Sequence, residues 1–324
     1  MRGMDSSKND ENIPDSEIIQ AEVVDMAPGT PWDWREVRVV RPPHRRWRMP
    51  VLLFVATCLS TLYVGIPNVI PAEGGGWAAL LHGLRYAVPV MTILLCHEMG
   101  HFLQAHRYGV RASLPYFIPM PFSPLGTFGA VIAMEPRVGG RRALFDIGIS
   151  GPLAGLVPTL IFCIVGLQSS ELKLTPPHPH GMAFGSPILF DVLCQWRFGA
   201  IPANYDILLD PMAFAGWVGL LVTSLNLIPI GQLDGGHVLY ALLLGKAHRV
   251  ASLLLMTAVF LVIWNWDTLG GWLLMLFLLL LMGPIHPPTA DDSEPLGLGR
   301  VVLGWLTLAF IIVGFTPTPL KFLQ

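Results

Sequence analysis

Apolar residues in this chain fall in long unbroken runs, neither alternating with polar ones nor confined to one helical stripe. The first run covers about Pro50 to Ile70 and the second about Trp77 to Ala105. Later runs cover about Ala143 to Leu167, Met212 to Ile230, Val250 to Trp266, Leu269 to Pro284 and Val301 to Phe315. Helices of roughly 20 apolar residues match the hydrocarbon thickness of a bilayer, so the pattern predicts about seven transmembrane helices. One apolar stretch, Ser113 to Ile132, does not fit, because Pro115, Pro119, Pro121 and Pro124 interrupt it. Proline removes a backbone donor and clashes with the preceding helical turn. Irregular backbone at membrane depth is tolerated only where protein covers it or where it lines a cavity. A re-entrant, non-helical hairpin between the second and third spans is therefore expected, with an interfacial loop on the bilayer surface as the alternative. The longest interval without a span runs from Gln168 to Pro211, and within it Ile188 to Phe198 predicts a short surface helix. The expected fold class is an all-α polytopic membrane protein.

The polar positions orient these spans. Arg41, Arg45, Arg46 and Arg48 precede the first run, and Arg107 and Arg111 follow the second. Arg137, Arg141 and Arg142 precede the third, while Lys246, His248 and Arg249 follow the fourth. Positive charge marks cytosolic loops, so the N-terminus is expected in the cytosol and the C-terminus outside. Residues 1–45 are polar and acidic and are expected to form a disordered cytosolic tail, with a short amphipathic piece around Trp32-Asp33-Trp34. Residues 46–324 then form one membrane-embedded domain.

Composition sharpens this reading. The chain is 53% hydrophobic and 13% charged, with mean hydropathy +0.57, whereas soluble domains carry about 25% charged residues. A net charge of −2 says nothing about nucleic acid and no basic aromatic patch suggests it, so the expected partner is the lipid bilayer and not nucleic acid. Cys58, Cys96, Cys163 and Cys194 show no C-x-x-C spacing, so neither a disulfide framework nor a cysteine zinc site is expected. The tail has no early hydrophobic region and no transit-peptide composition, which leads to the expectation of a bacterial inner (cell) membrane.

Within this apolar frame the second run carries His97-Glu98-Met99-Gly100-His101. Histidines at i and i+4 lie one turn apart on one helix face, where two imidazoles can hold one Zn²⁺ with the intervening Glu as a base. Ionisable groups inside a membrane helix are costly and are functional candidates by default. The structural alternative is an ion pair between Glu98 and an arginine such as Arg107. Because Arg107 and Arg111 follow at once, the motif belongs to the cytosolic half of the membrane.

A catalytic zinc usually has three protein ligands, so another element must supply one. Asp146 and Glu135 lie near the cytosolic boundary, and His237 follows two glycines. Asp234 is preferred, because the fourth run breaks there into Pro229, Gly231 and Gly235-Gly236, which frees backbone and permits close approach. Its alternative role is an N-cap for a helix over Gly236 to Leu244. His82 and His106 read as interfacial or packing residues. Cys96 reads as packing, since a neighbour of His97 at i+1 faces elsewhere.

Together these features resemble the site-2 proteases, which are intramembrane zinc metalloproteases. His97-Glu98-Met99-Gly100-His101 is similar to the first motif of that family. Asn226-Leu227-Ile228-Pro229-Ile230-Gly231-Gln232-Leu233-Asp234-Gly235-Gly236 is similar to the second, with its Asn and Asp eight residues apart. Gly126-Thr127-Phe128-Gly129-Ala130, Phe145-Asp146-Ile147-Gly148-Ile149-Ser150-Gly151-Pro152 and His286-Pro287-Pro288 are similar to the branch that includes plant chloroplast members. The resemblance covers most of the membrane core and leaves out about residues 1–45.

The resemblance implies His97, His101 and Asp234 as ligands of one Zn²⁺ per chain, Glu98 as catalytic base, and Asn226 as an aid near the reacting carbonyl. It implies a metalloprotease domain over residues 46–324. The activity implied is hydrolysis of peptide bonds within or near the transmembrane segments of membrane protein substrates, as in regulated intramembrane proteolysis. No interval is long enough for an inserted domain of roughly 100 residues such as PDZ or CBS. Gly126, Thr127, Phe128 and Gly129 could offer a strand edge to an unwound substrate. The alternative function is a non-proteolytic membrane protein that binds metal or a client in the same pocket. An intact Glu98 argues against it, and the few polar groups in the outer half argue against transport. No oligomeric state follows from the sequence.

Overall fold

The structure, a computed structural model, describes residues 21–22, 38–39, 47–66, 75–134, 139–174, 181–202, 204–318 and 320–323. Contacts divide the chain into two units, Met1–Arg46 and Trp47–Gln324. In the first, strands β1 (Ala21–Glu22) and β2 (Arg38–Val39) pair antiparallel. Trp32-Asp33-Trp34 and Glu135 lie outside the described residues.

In the second unit the first three apolar runs become α1 (Arg48–Gly65), α2 (Gly75–Arg107) and α3 (Arg141–Gln168). Helix α4 occupies Ile188–Phe198, as its pattern predicts, although Phe190 and Cys194 are buried rather than at the surface. Helix α5 (Pro211–Asn226) starts cleanly, because the Asp210 side chain accepts from the Met212 amide and Pro211 needs no partner for an N–H it lacks. It stops four residues short of the expected Ile230, since Pro229 cannot continue it. A turn at Gly231, with φ of +58°, then reverses the chain into α6 (Asp234–Leu243). A 3₁₀ turn at Leu244–Lys246 leads into α7 (Ala247–Trp264). The expected span from Leu269 to Pro284 is divided between α8 (Trp266–Leu269), a 3₁₀ turn (Gly270–Trp272) and α9 (Leu273–Met282). Helix α10 covers Leu298–Gly314.

Among the described residues four helices are long and apolar enough to cross a membrane: Arg48–Gly65, Gly75–Arg107, Arg141–Gln168 and Asp234–Trp264. Three apolar helices, Pro211–Asn226, Gly270–Met282 and Leu298–Gly314, are shorter. The surfaces match a lipid setting. Helix α1 buries Thr57, Ser60 and Thr61 while Leu52, Leu59 and Tyr63 are exposed. Small polar residues facing the bundle and large apolar ones facing out are what lipid solvation favours. Helices α2, α3 and α5 form the centre, where Tyr86, Val90 and Leu94 meet Leu167, Trp217 and Leu220. A second core joins Phe145 and Ile147 of α3 to Val238 and Tyr240 of α6 and Leu308 of α10.

The expectation of an all-α chain is too simple, because proline-rich and polar connections form strands. Strands β3 (Tyr116–Met120) and β4 (Gly126–Val131) make an antiparallel hairpin with a register shift between Phe117 and Pro119. A bulge is where a sheet accommodates proline. The hairpin is anchored on α1 and α2. Ser60 Oγ donates to the Gly126 carbonyl at 2.6 Å, Tyr86 Oη donates to the Leu125 carbonyl at 2.7 Å, and Phe54 meets Phe117 edge-on at 5.1 Å. Elsewhere β5 (Glu171–Leu174) pairs with a later strand, β7 (Tyr205–Leu208), and β6 (Gly181–Phe184) pairs with β8 (Leu320–Leu323).

Candidate metal centre

The two motif histidines lie on one face of α2, with Nε2 atoms 3.3 Å apart. Asp234, the first residue of α6, turns its carboxylate onto both: Oδ2 is 3.1 Å from His97 Nε2 and Oδ1 is 3.2 Å from His101 Nε2. The broken end of the fourth run therefore delivers a carboxylate across 137 residues of sequence. The capping role weighed for Asp234 is not observed, because the N-cap of α6 is Leu233, with no side-chain cap bond. Asn226, the last residue of α5, places Nδ2 3.2 Å from His97 Nε2. Glu98 sits beside His97, is 4% exposed, and is within electrostatic reach of both histidines and Asp234. Among the described residues it has no ion pair with an arginine.

The donor set suits zinc. His101 Nδ1 donates to the Ile147 carbonyl at 2.8 Å, so the neutral ring keeps its lone pair on Nε2, the atom that faces the cluster. One ligand atom from each of His97, His101 and Asp234 lies within 4.8 Å of the others. Two nitrogens and a carboxylate oxygen leave one position open in a tetrahedron, the arrangement of a catalytic zinc. Converging lone pairs in a buried site are unfavourable unless something positive joins them. Packing leaves no slack here: a Cβ on Gly151 of α3 would overlap the His101 ring itself.

The other ligand candidates are engaged elsewhere. Asp146 accepts two bonds of 2.8 Å from Arg300 and one of 2.5 Å from Tyr108. His237 Nδ1 is 2.6 Å from His286 Nε2. His82 Nδ1 donates to the Gly65 carbonyl at 2.8 Å. Gly126, Thr127, Phe128 and Gly129 lie together on β4 and not in the metal cluster. Thr127 is buried and its hydroxyl donates to the Ile118 carbonyl at 3.0 Å, whereas Phe128 is half-exposed.

The tail motif His286-Pro287-Pro288 is visible in the sequence, but its contacts are not. His286, from the His286-Pro287-Pro288 tail, packs against α6. Its ring stacks on Tyr240 with centroids 4.6 Å apart, its carbonyl accepts from His248 Nε2 at 3.0 Å, and Tyr240 Oη donates to Asp292 at 2.8 Å. His286 Nδ1 donates to the Pro287 carbonyl at 2.5 Å. A neutral His286 must then accept at Nε2, so His237 Nδ1 is the donor in their mutual bond.

Fold and site thus define a membrane-embedded helical chain with two histidines and a carboxylate gathered at a helix break. The profile of peptidase family M50 matches residues 85–264, more than half of the chain and the whole of the site, and the chain belongs to that family. It is 30% identical over 245 residues to the probable zinc metalloprotease EGY1, chloroplastic, of Arabidopsis thaliana, covering 72% of this chain and 43% of that protein. It is likewise 30% identical over 234 residues to the probable zinc metalloprotease EGY2, chloroplastic, of the same plant, covering 69% and 41%. The rice (Oryza sativa subsp. japonica) EGY1 protein matches at 30% over 251 residues, covering 68% and 40%. The chain spans less than half the length of these relatives.

Proposed function

We propose that this chain is an intramembrane zinc endopeptidase that hydrolyses peptide bonds in or near membrane-spanning segments of other proteins. The observation that carries the proposal is the convergence of His97, His101 and Asp234 within 4.8 Å, with Glu98 beside them and Asn226 at 3.2 Å. His97, His101 and Asp234 would hold zinc, which when bound would supply Lewis acidity for a peptide carbonyl and for water. Glu98 takes the proton from the attacking water and passes it to the leaving amine. Asn226 Nδ2 is placed to donate to the developing oxyanion. Ile147 fixes the His101 ring through its carbonyl, and burial of the site excludes bulk water.

A transmembrane substrate hides its carbonyls in helical hydrogen bonds, so it must unwind before it reacts. Strand β4, through Gly126, Thr127, Phe128 and Gly129, provides an edge along which the unwound segment can pair. We further read the seven apolar helices as seven spans, with the β3–β4 hairpin re-entrant at membrane depth and residues 1–45 as a cytosolic tail outside the protease domain. The arginines next to α1 and α2 favour a metal centre toward the cytosolic face. The relatives' names put those proteins in chloroplasts, against the bacterial cell membrane expected here. The proposal needs only a bilayer with the site toward its arginine-rich side.

The test compares wild type with Glu98→Gln as full-length protein in detergent or liposomes, measuring zinc content and cleavage of a model transmembrane peptide. We expect zinc retained and turnover reduced by about 10²- to 10⁴-fold. Equal turnover would refute Glu98 as the base.

A further inference from the structure

A cavity of about 610 Å³ opens at the end of the bundle opposite the metal centre. Its walls include His82 and Tyr86 of α2, Pro124 of the hairpin turn and Phe214 of α5. His82 and Tyr86 precede His97 by fifteen and eleven positions on the same helix, which at helical rise is roughly 16 to 22 Å. Strand β4, 6 residues long, covers a comparable distance at about 3.3 Å per residue. Helix α1 runs antiparallel to α2, with Gly65 against Gly83. From Leu125, held by Tyr86 at the cavity, the strands run back past Ser60 to Phe54, toward the metal-centre end.

We infer that this cavity is a second substrate-binding site, which takes the substrate segment about five to seven residues from the scissile bond, on the side facing away from the metal centre. The inference rests on the protease reading with β4 as the substrate track. Its length follows from the geometry, because an extended chain advances about 3.3 Å per residue. Its chemistry follows from the lining. Phe190, Phe214 and Ile207 form an apolar wall, and Asp191 and Asp206 stand exposed at the rim. Arg85 is paired with Asp210 at 2.7 Å, and Lys173, opposite Asp206 in the β5–β7 ladder, makes no ion pair with it among the described residues. Trp and Tyr anchor membrane-spanning segments at both interfaces, and a Lys or Arg near either end snorkels to the water, so at this end, away from the arginine-rich side, a basic residue marks a subset of substrates. An aromatic side chain seated on the phenylalanines, with a basic neighbour facing the two aspartates, fits this cavity.

The test uses the full chain carrying Glu98→Gln, so that binding is read without cleavage, and a fluorescent peptide with a Trp-Lys pair from the end of a model transmembrane substrate. Adding Asp191→Lys and Asp206→Lys, both at exposed positions, should weaken peptide binding by about tenfold, the effect of roughly 1.4 kcal/mol. A peptide with Glu in place of Lys should bind the double variant better than wild type. In the cleaving enzyme the same double variant should raise KM for the long substrate with kcat within about twofold, and should not affect a substrate truncated before that segment. Binding indifferent to both charge reversals, or equal loss on the truncated substrate, would overturn the inference. If no substrate is cleaved but charge-swapped binding persists, the protease reading fails and the cavity site stands.

Discussion

Gly151 shows how narrowly the metal centre is fitted. It lies on α3 among Gly148, Ser150, Ala154 and Gly155, and its neighbour is the His101 ring, with no room for a methyl group. Overpacking a tight core costs about 1 to 3 kcal/mol, and here the strain falls on a ligand. Gly151→Ala should therefore reduce zinc content and turnover together, whereas Glu98→Gln reduces turnover alone; metal analysis beside a cleavage assay separates the two. The residues of this site differ in how they could be read from sequence. His97, Glu98 and His101 were legible because one helix supplies all three at fixed spacing. Asp234 was legible only through the glycines and proline that break its helix. Gly151 was not, since its purpose depends on which ring α2 presents to α3. The partnership of His237 with His286 spans 49 residues and leaves no local pattern.

Two elements carry expectations of their own. In the β3–β4 hairpin, four prolines announced non-helical backbone correctly, while the antiparallel register and the bulge depend on anchors from α1 and α2 that no local signal encodes. If β4 holds the substrate, a proline at Phe128, which is half-exposed, removes a donor from the strand and should lower cleavage by about tenfold or more with zinc content unchanged. Unchanged cleavage would remove the hairpin from the mechanism. The segment from His286 to Gly297 is held on α6 differently. Burial, the leading cause, and the neighbouring His248 push the His286 imidazole below its ordinary value of 6.5, against the opposing pull of the Pro287 carbonyl and Asp292. A released His286 binds a proton near pH 6.5 and the docked one only at lower pH, so docking is fully supported above that value and is lost as pH falls through the folded pKa. Hydrogen-exchange protection over this segment, taken relative to the intrinsic exchange rate at each pH, should accordingly fall on going from pH 7.5 to pH 5.5, and His286→Phe, which cannot be protonated, should flatten the response.

At the scale of the whole molecule the proposed metal centre would be a brace as well as a catalytic site. Helices α2, α5 and α6 meet at His97, Asn226 and Asp234, and among the described residues α2 and α6 contribute the ligand atoms. The two helices otherwise join mainly through α3, which packs between His101 and His237 by way of Gly151 and Gly148. An ion that binds the folded chain and not the unfolded one stabilises it by RT ln(1 + [L]/Kd), about 2.7 kcal/mol at a hundredfold excess over Kd. For a domain of this size each kcal/mol moves Tm by about 2 to 4 °C, so stripping zinc with a chelator should lower the melting temperature in detergent by roughly 5 to 10 °C. Glu98→Gln should show the same drop, because Glu98 is not among the three ligands. His101→Ala should start lower and respond little to chelator. If zinc leaves wild type without moving Tm, the helix packing alone holds α6 against α2, and Asp234 is then free to part from the histidines whenever the ion is gone.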